Sequence, residues 1–454
     1  MLKSSLGLLC TLAWLFTGHS DVIQYLPFLH NQANSNQQPL HYLYRAYRAG
    51  DEQALEQLSQ RAIALNDGYW LHFAKLAGSA QAKRYFSYLQ VGNEGNKAAI
   101  KALNYSAKRG ELDAQVALYH HWITQNQLEK AQHWLSRAAK RDASSALMYA
   151  KWLSLKGQES QALESLQIAQ QLGSAEALKL LNMRAGSAPK KYSELTLASS
   201  KAVVENCAQR LQFVASSLHS VMQGQAFIDN FANDERLKTL PICINRPLWL
   251  APDSLTCSGN WQGAGRLGCN MTRMSQSLFG QRFTHVVVLA QAGKANVHNG
   301  VMFLDSQDDY NVFVHELAHF AGFIDEYPLS EGLASVICEL NDAPNLRVSR
   351  QGHQPDMLGW QGLTKGQRIA VSESRTCDNH QAQAYKPSTK MTFMEFYDVP
   401  YIPPIYLRAW AERLANKPLL TPAYINFYQG YDAKGDTEQG TYWRTRYQHY
   451  LQAD

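Results

Sequence analysis

Beyond its N-terminus the chain has no apolar run of the roughly 20 residues that a membrane helix needs. It has no long block of Lys and Arg, and its net charge is only +5 over 454 residues. That balance argues against nucleic acid or an anionic membrane as the main partner. No Cys-x-x-Cys pair occurs, which argues against a cysteine zinc cluster and a thioredoxin-type dithiol. Proline is missing from residues 40–183, so helices there can run without that interruption.

What is present begins with MLKSSLGLLCTLAWLFTGHS. Lys3 gives a positive start, residues 6–16 form a short apolar run, and Gly18, His19 and Ser20 are suited to cleavage. Residues 1–20 therefore read as an export signal, placing the chain in the periplasm or outside the cell. Lipidation at Cys10 fits poorly, because Leu9 precedes it and little apolar sequence lies upstream. The remaining six cysteines, Cys207, Cys243, Cys257, Cys269, Cys338 and Cys377, all fall in the C-terminal part. Their even number predicts disulfides in an oxidising compartment. Six cysteines leave many pairings open; Cys257 with Cys269 is the preferred one, since they bracket a Gly-rich loop.

Residues 40–183 use a helical vocabulary of Ala, Leu, Gln and Lys. An internal repeat runs through them: Leu103, Leu135 and Leu166 recur at near-constant spacing, as do Ala114, Ala146 and Ala177. Gly110, Asp142 and Gly173 break the pattern at the same interval, so each unit reads as helix, break, helix. Such units bury their apolar faces only by stacking. The segments AIKALNYSAKRGELDAQVAL, AQHWLSRAAKRDASSALMYA and ALESLQIAQQLGSAEALKLL resemble Sel1-like repeats of the tetratricopeptide type. That resemblance implies binding of a protein partner; a helical support for the next domain is the plainer alternative. Tyr119, His120, His121 and Trp122, clustered on one helix, read as core and rim residues.

The segment RAGSAPKKY reads as a linker. Beyond it Pro, Gly, Asn and aromatics rise. Residues 284–290 (THVVVLA) and 301–304 predict buried strands, and helices are expected near 200–225, 308–321 and 330–340. The domain plan is a signal at 1–20, an all-α helical-repeat solenoid at 21–185, a linker at 186–195 and an α+β domain at 196–454.

The chemistry is carried by residues 315–327, HELAHFAGFIDEY. His315 and His319 lie four apart, which on a helix puts both on one face as two nitrogen ligands to one ion. Glu316 projects beside that ion, where it can take a proton from an attacking water and return it to the leaving amine. Gly322 permits the left-handed turn that ends the helix and lets the chain return Asp325 as a third, oxygen ligand. Three protein ligands leave the open position that a catalytic zinc needs. Glu326 is the rival third ligand. Asp305, Ser306, Asp308 and Asp309 supply caps and acids for the start of the helix.

The pattern resembles the metzincin clan of zinc peptidases, with Asp325 where most of the clan has a third His, as in snapalysin-like members. The Asp-Glu-Tyr ending is also similar to IgA-protease-type metallopeptidases. The resemblance implies a zincin-like fold, one catalytic Zn2+ and a Met-containing turn beneath it. Met394, in PSTKMTFMEFY, is the candidate for that turn, with Met391 behind it; Tyr397 is the candidate oxyanion stabiliser. The resemblance also makes the run around 295–304 an edge strand for an extended substrate, although Asn299-Gly300 reads equally as a hairpin turn.

The sequence is thus read as an exported zinc metalloendopeptidase acting on a protein or peptide substrate, with repeats that bind a partner or position that substrate. A binding scaffold with an idle zincin-like domain is the alternative. A zinc hydrolase of cell-wall peptides or amides is a third reading.

Overall fold

The computed structural model describes residues 26–34, 39–65, 67–83, 85, 97–184, 207–339, 343–350, 357–364, 366 and 368–452. The expected export signal and linker lie outside these residues. Two compact units are present: Met1–Tyr149 with Gln171–Ser174, and Ala150–Gln170 with Ala175–Asp454.

The first unit is helical, and its caps follow from local chemistry. Asp51 accepts from the backbone N–H groups of Gln53 and Ala54, and Asp67 from those of Tyr69 and Trp70. These side chains satisfy donors that a helix start leaves unpaired. Helices are interrupted at Gly110 and Asp142. Gly110 takes φ +92° between helices Lys97–Lys108 and Leu112–Thr124, and Asp142 accepts from Ser145 N–H at 2.7 Å. The recurring positions Ala114, Leu135 and Ala146 are buried, as close helix approach requires; Leu166 and Ala177, which belong to the second unit, are buried too. Tyr119 and His121 are buried as core residues.

The second unit holds a five-stranded sheet made of β1 (Gln209–Ala215), β2 (Ile242–Trp249), β5 (His285–Leu289), β6 (Asn296–His298) and β7 (Val301–Leu304), in the order β2-β1-β5-β7-β6. Four strands run parallel; β6, at the edge, runs antiparallel to β7. His285–Leu289 and Val301–Leu304 are buried throughout, the pattern expected of parallel strands covered on both faces. Part of the helix expected near 200–225 is instead β1. Its helix starts later, at Leu218–Ala232, where Ser217 caps Ser220 N–H. Asn299 and Gly300 adopt φ +43° and +74° between His298 and Val301, which pair directly. Residues 296–304 are therefore both an edge strand and a two-residue hairpin, the turn type that Asn-Gly favours.

A short hairpin, β3 (Cys257–Ser258) with β4 (Gly268–Cys269), and an antiparallel sheet of β8 (Arg347–Arg350), β9 (Ser372–Ser374) and β10 (Ala382–Lys386) complete the strands. The six late cysteines form Cys207–Cys243, Cys257–Cys269 and Cys338–Cys377. No helix among the described residues is long and apolar enough to cross a membrane. The helix Tyr310–His319 packs Phe313 against Phe213 of β1 and Phe227, with ring centres 5.5 and 5.6 Å apart. That aromatic contact sets the helix against the sheet, with β7 leading into it.

Candidate metal centre

Asp309 caps the motif helix, accepting from Asn311 and Val312 N–H at 2.9 and 3.0 Å. The neighbouring acids work elsewhere: Asp308 accepts from Asp305 N–H, and Asp305 from Gln307 and Gly293 N–H. Burial, with Asp305, Glu316 and Asp309 adding to it, pushes the Asp308 carboxyl up to about 6. The helix ends as its glycine predicts. Gly322 takes φ +80°, and Phe323 N–H reaches back to the Ala318 carbonyl.

That reversal returns Asp325 to the histidines. Its Oδ1 lies 3.0 Å from His315 Nε2 and 3.2 Å from His319 Nε2. Ligand atoms about 2.0–2.1 Å from a tetrahedral zinc stand roughly 3.3 Å apart, close to the two distances from Asp325 to the imidazoles. The tautomers fit too. His315 Nδ1 donates to the Phe393 carbonyl and His319 Nδ1 to the Phe323 carbonyl, both at 2.8 Å. A carbonyl only accepts, so each Nδ1 carries a proton and Nε2 is the nitrogen left to face the centre.

His315, Glu316 and His319 each offer a ligand atom, all three within 4.8 Å of one another. Asp325 Oδ1 lies within 3.2 Å of both imidazoles. The Glu316 carboxylate is buried, and its Oε2 has no hydrogen-bond partner among the described residues. A buried acceptor without a partner needs a reason, and a proton to be moved in the cleft is one. Burial raises the Glu316 carboxyl, against the pull of His319 and His315. For His319, burial alone would lower the imidazole, but Asp325 outweighs it and pushes the ring up to about 9. The chain's donors therefore fit a divalent ion, which would displace that proton.

Glu326 points away from the histidines. It is 1% exposed, and its carboxylate accepts from Asn345 at 2.8 Å and from Thr392 and Tyr406, both at 2.5 Å. Lys386 Nζ stands 3.5 Å from it and also pairs with Glu395. Glu326 N–H donates to the Met394 carbonyl. This network braces the turn at 392–395, where Glu395 N–H donates to the Thr392 carbonyl. Met394 is fully buried in that turn, one residue after the carbonyl that orients His315, whereas Met391 is half exposed. Tyr397 is also half exposed.

A cleft of about 440 Å³ runs beside the motif helix. Glu316, His319 and Asp325 face it from one side, and β6 with Asn299 and Gly300 from another. Sequence reading passes over three of its residues. Tyr327 lies against it, and burial together with the neighbouring Asp325 carboxylate holds its hydroxyl proton in place. Arg266 and Lys294 line the cleft as well. Only Tyr327 has a local signal, its place directly after Asp325 and Glu326. No known protein family matches the chain, and no curated protein matches it.

Proposed function

We propose that this chain is an exported zinc-dependent metallopeptidase, most simply an endopeptidase, with a zincin-like catalytic domain of metzincin type. The observation that carries the reading is the convergence of His315 Nε2, His319 Nε2 and Asp325 Oδ1 beside the unpartnered Glu316 Oε2. A zinc ion held there supplies Lewis acidity and brings the pKa of water to about 7.

The chain's own residues do the rest. Phe393 and Phe323 hold the two imidazoles in one tautomer and orientation, as outer partners of metal ligands do. Glu316 Oε2 accepts a proton from the attacking water and passes it to the amide nitrogen as the C–N bond breaks. Its partial desolvation favours the proton-accepting role, because a buried carboxylate gains by being neutralised. β6 is the edge strand of the sheet, the place where an extended peptide could add by main-chain pairing.

Support for export is indirect: three disulfides suit an oxidising compartment. The helical unit, with Tyr69 and Tyr105 exposed, is proposed to hold a protein partner in the manner of Sel1-like repeats.

Metal analysis and hydrolysis of an unstructured protein test the reading together. The expected result is one zinc per chain, hydrolysis abolished by chelator, and Glu316→Gln retaining metal while losing about 100-fold or more in rate. Wild-type turnover by Glu316→Gln would sink it.

A further inference from the structure

The cleft holds two cations that form no ion pair among the described residues. Arg266 and Lys294 line it with Glu316, His319 and Asp325, and both are exposed. Among the described residues neither side chain makes an ion pair or a hydrogen bond. Both act on the centre electrostatically, Lys294 on Glu316 and Arg266 on Tyr327.

Their positions are built by the fold. Arg266 lies in the loop between β3 and β4, whose facing ends the Cys257–Cys269 disulfide joins. Lys294 lies in the loop that enters β6. The Asn296 amide donates to the Leu267 carbonyl at 2.9 Å and to the Lys294 carbonyl at 3.1 Å, tying both loops to the edge strand. The loops meet backbone to backbone: a Cβ on Gly293 would lie 3.0 Å from Gly259 Cα. An Arg and a Lys are thereby anchored beside the strand that would receive a peptide.

Charge balance gives them a role. A divalent ion would offset Asp325 and Glu316, which leaves the cleft with two uncompensated positive charges. A concave site of one sign concentrates ligands of the other. We infer that the cleft selects peptides with a carboxylate close to the bond being cut, gripped by Arg266 and Lys294. The guanidinium offers a planar fork to that carboxylate and the ammonium a point charge. The bond to be cut comes from the peptidase reading above; the charge preference rests on the two cations alone. The carboxylate belongs either to a Glu or Asp side chain or to a free C-terminus.

The test uses full-length, zinc-loaded protein and labelled peptides identical except for Glu or Gln at successive positions, each with a C-terminal acid or amide. Binding is read by anisotropy with Glu316→Gln protein, and turnover with the wild type. Two partly screened ion pairs predict about tenfold tighter binding of the favoured carboxylate peptide at low salt. Arg266→Ala with Lys294→Ala should remove that preference while the Gln-amide peptide binds unchanged. A preference that follows internal Glu assigns the carboxylate to a side chain; one that follows the terminal acid assigns it to the C-terminus. Equal binding of all peptides, or a preference that survives the double substitution, overturns the inference. Selective binding without cleavage of any peptide would leave the inference standing and count against the peptidase reading instead.

Discussion

Nδ1 of His315 donates to the backbone carbonyl of Phe393 at 2.8 Å, so the residue before Met394 decides which nitrogen of the first motif histidine faces the centre. The buried Met394 side chain and the bond from Glu326 N–H to its carbonyl hold that turn in place. Met394→Ala should open a cavity and cost about 2–5 kcal/mol, whereas Met394→Leu, close in volume, should cost under about 1.5 kcal/mol. Zinc retention in the presence of a competing chelator should fall with Met394→Ala and hold with Met394→Leu. Equal retention by both would mean that the turn does not orient His315.

Asp325 and Glu326 are neighbours with opposite roles, and substitution separates them. Asp325→Ala removes an atom that lies 3.0 and 3.2 Å from the two imidazoles. It should lower zinc affinity at least about 10–100-fold, the loss seen even for outer partners of ligands, with a small change in metal-free stability. Glu326→Ala strips the acceptor shared by Asn345, Thr392 and Tyr406 and leaves Lys386 with Glu395 alone. Breaking a buried charged network costs about 3–5 kcal/mol, so its effect should appear in thermal unfolding before it appears in zinc binding. Metal content by mass spectrometry beside denaturation curves distinguishes the two. Zinc loss confined to Glu326→Ala would reverse the assignment.

The parts of the centre legible in the sequence are those set by local geometry. His315, Glu316 and His319 follow from helix pitch, and Gly322 from the φ of +80° that ends the helix. The turn at Asn299-Gly300 is local in the same way. What sequence reading leaves open depends on distant partners. The Phe393 carbonyl lies 78 residues from His315, and the donors to Glu326 lie 19, 66 and 80 residues away. Spacing alone therefore cannot separate Glu326 from Asp325 as a ligand. For β1, QRLQFVA has no clean strand period; it is a strand because β2 and β5 pair with it on either side. The cation pair is illegible for a related reason. Arg266 and Lys294 meet one cleft only because the Asn296 amide and the Cys257–Cys269 disulfide bring their loops together.

His285 gives a pH-dependent prediction remote from the proposed chemistry. Its ring is wholly buried on β5 against Phe320, its Nε2 has no partner among the described residues, and burial drives its pKa from 6.5 down to about 3. The unfolded chain binds this proton below about pH 6.5 while the native one does not. Stability is therefore full above that pH and declines as pH falls toward 3. Between pH 6.5 and 4.5 the loss is at most about 2.7 kcal/mol. His285→Leu should flatten the acid limb by a comparable amount. Denaturation curves of metal-free protein at both pH values, which keep zinc loss out of the comparison, would show an unchanged limb if His285 were not the cause.

Gly322 tests whether the helix end serves the centre or merely the fold. At φ +80° any other residue is strained by about 1–2 kcal/mol, and a Cβ would lie 2.8 Å from the Arg413 guanidinium. Arg413 can swing aside, but its Nε donates to the Ala321 carbonyl, so that bond is weakened as well. Gly435, at φ +73° between helices Tyr424–Asp432 and Thr437–Gln452, has open space around it and is the matched control. Gly322→Ala and Gly435→Ala should each lower the melting temperature by a few degrees, in line with the shared backbone cost. Only Gly322→Ala should also weaken zinc binding, because the turn it distorts is the one that carries Asp325 back to His315 and His319. Equal zinc affinity in the two variants would separate the turn from the centre and return Gly322 to an ordinary helix stop.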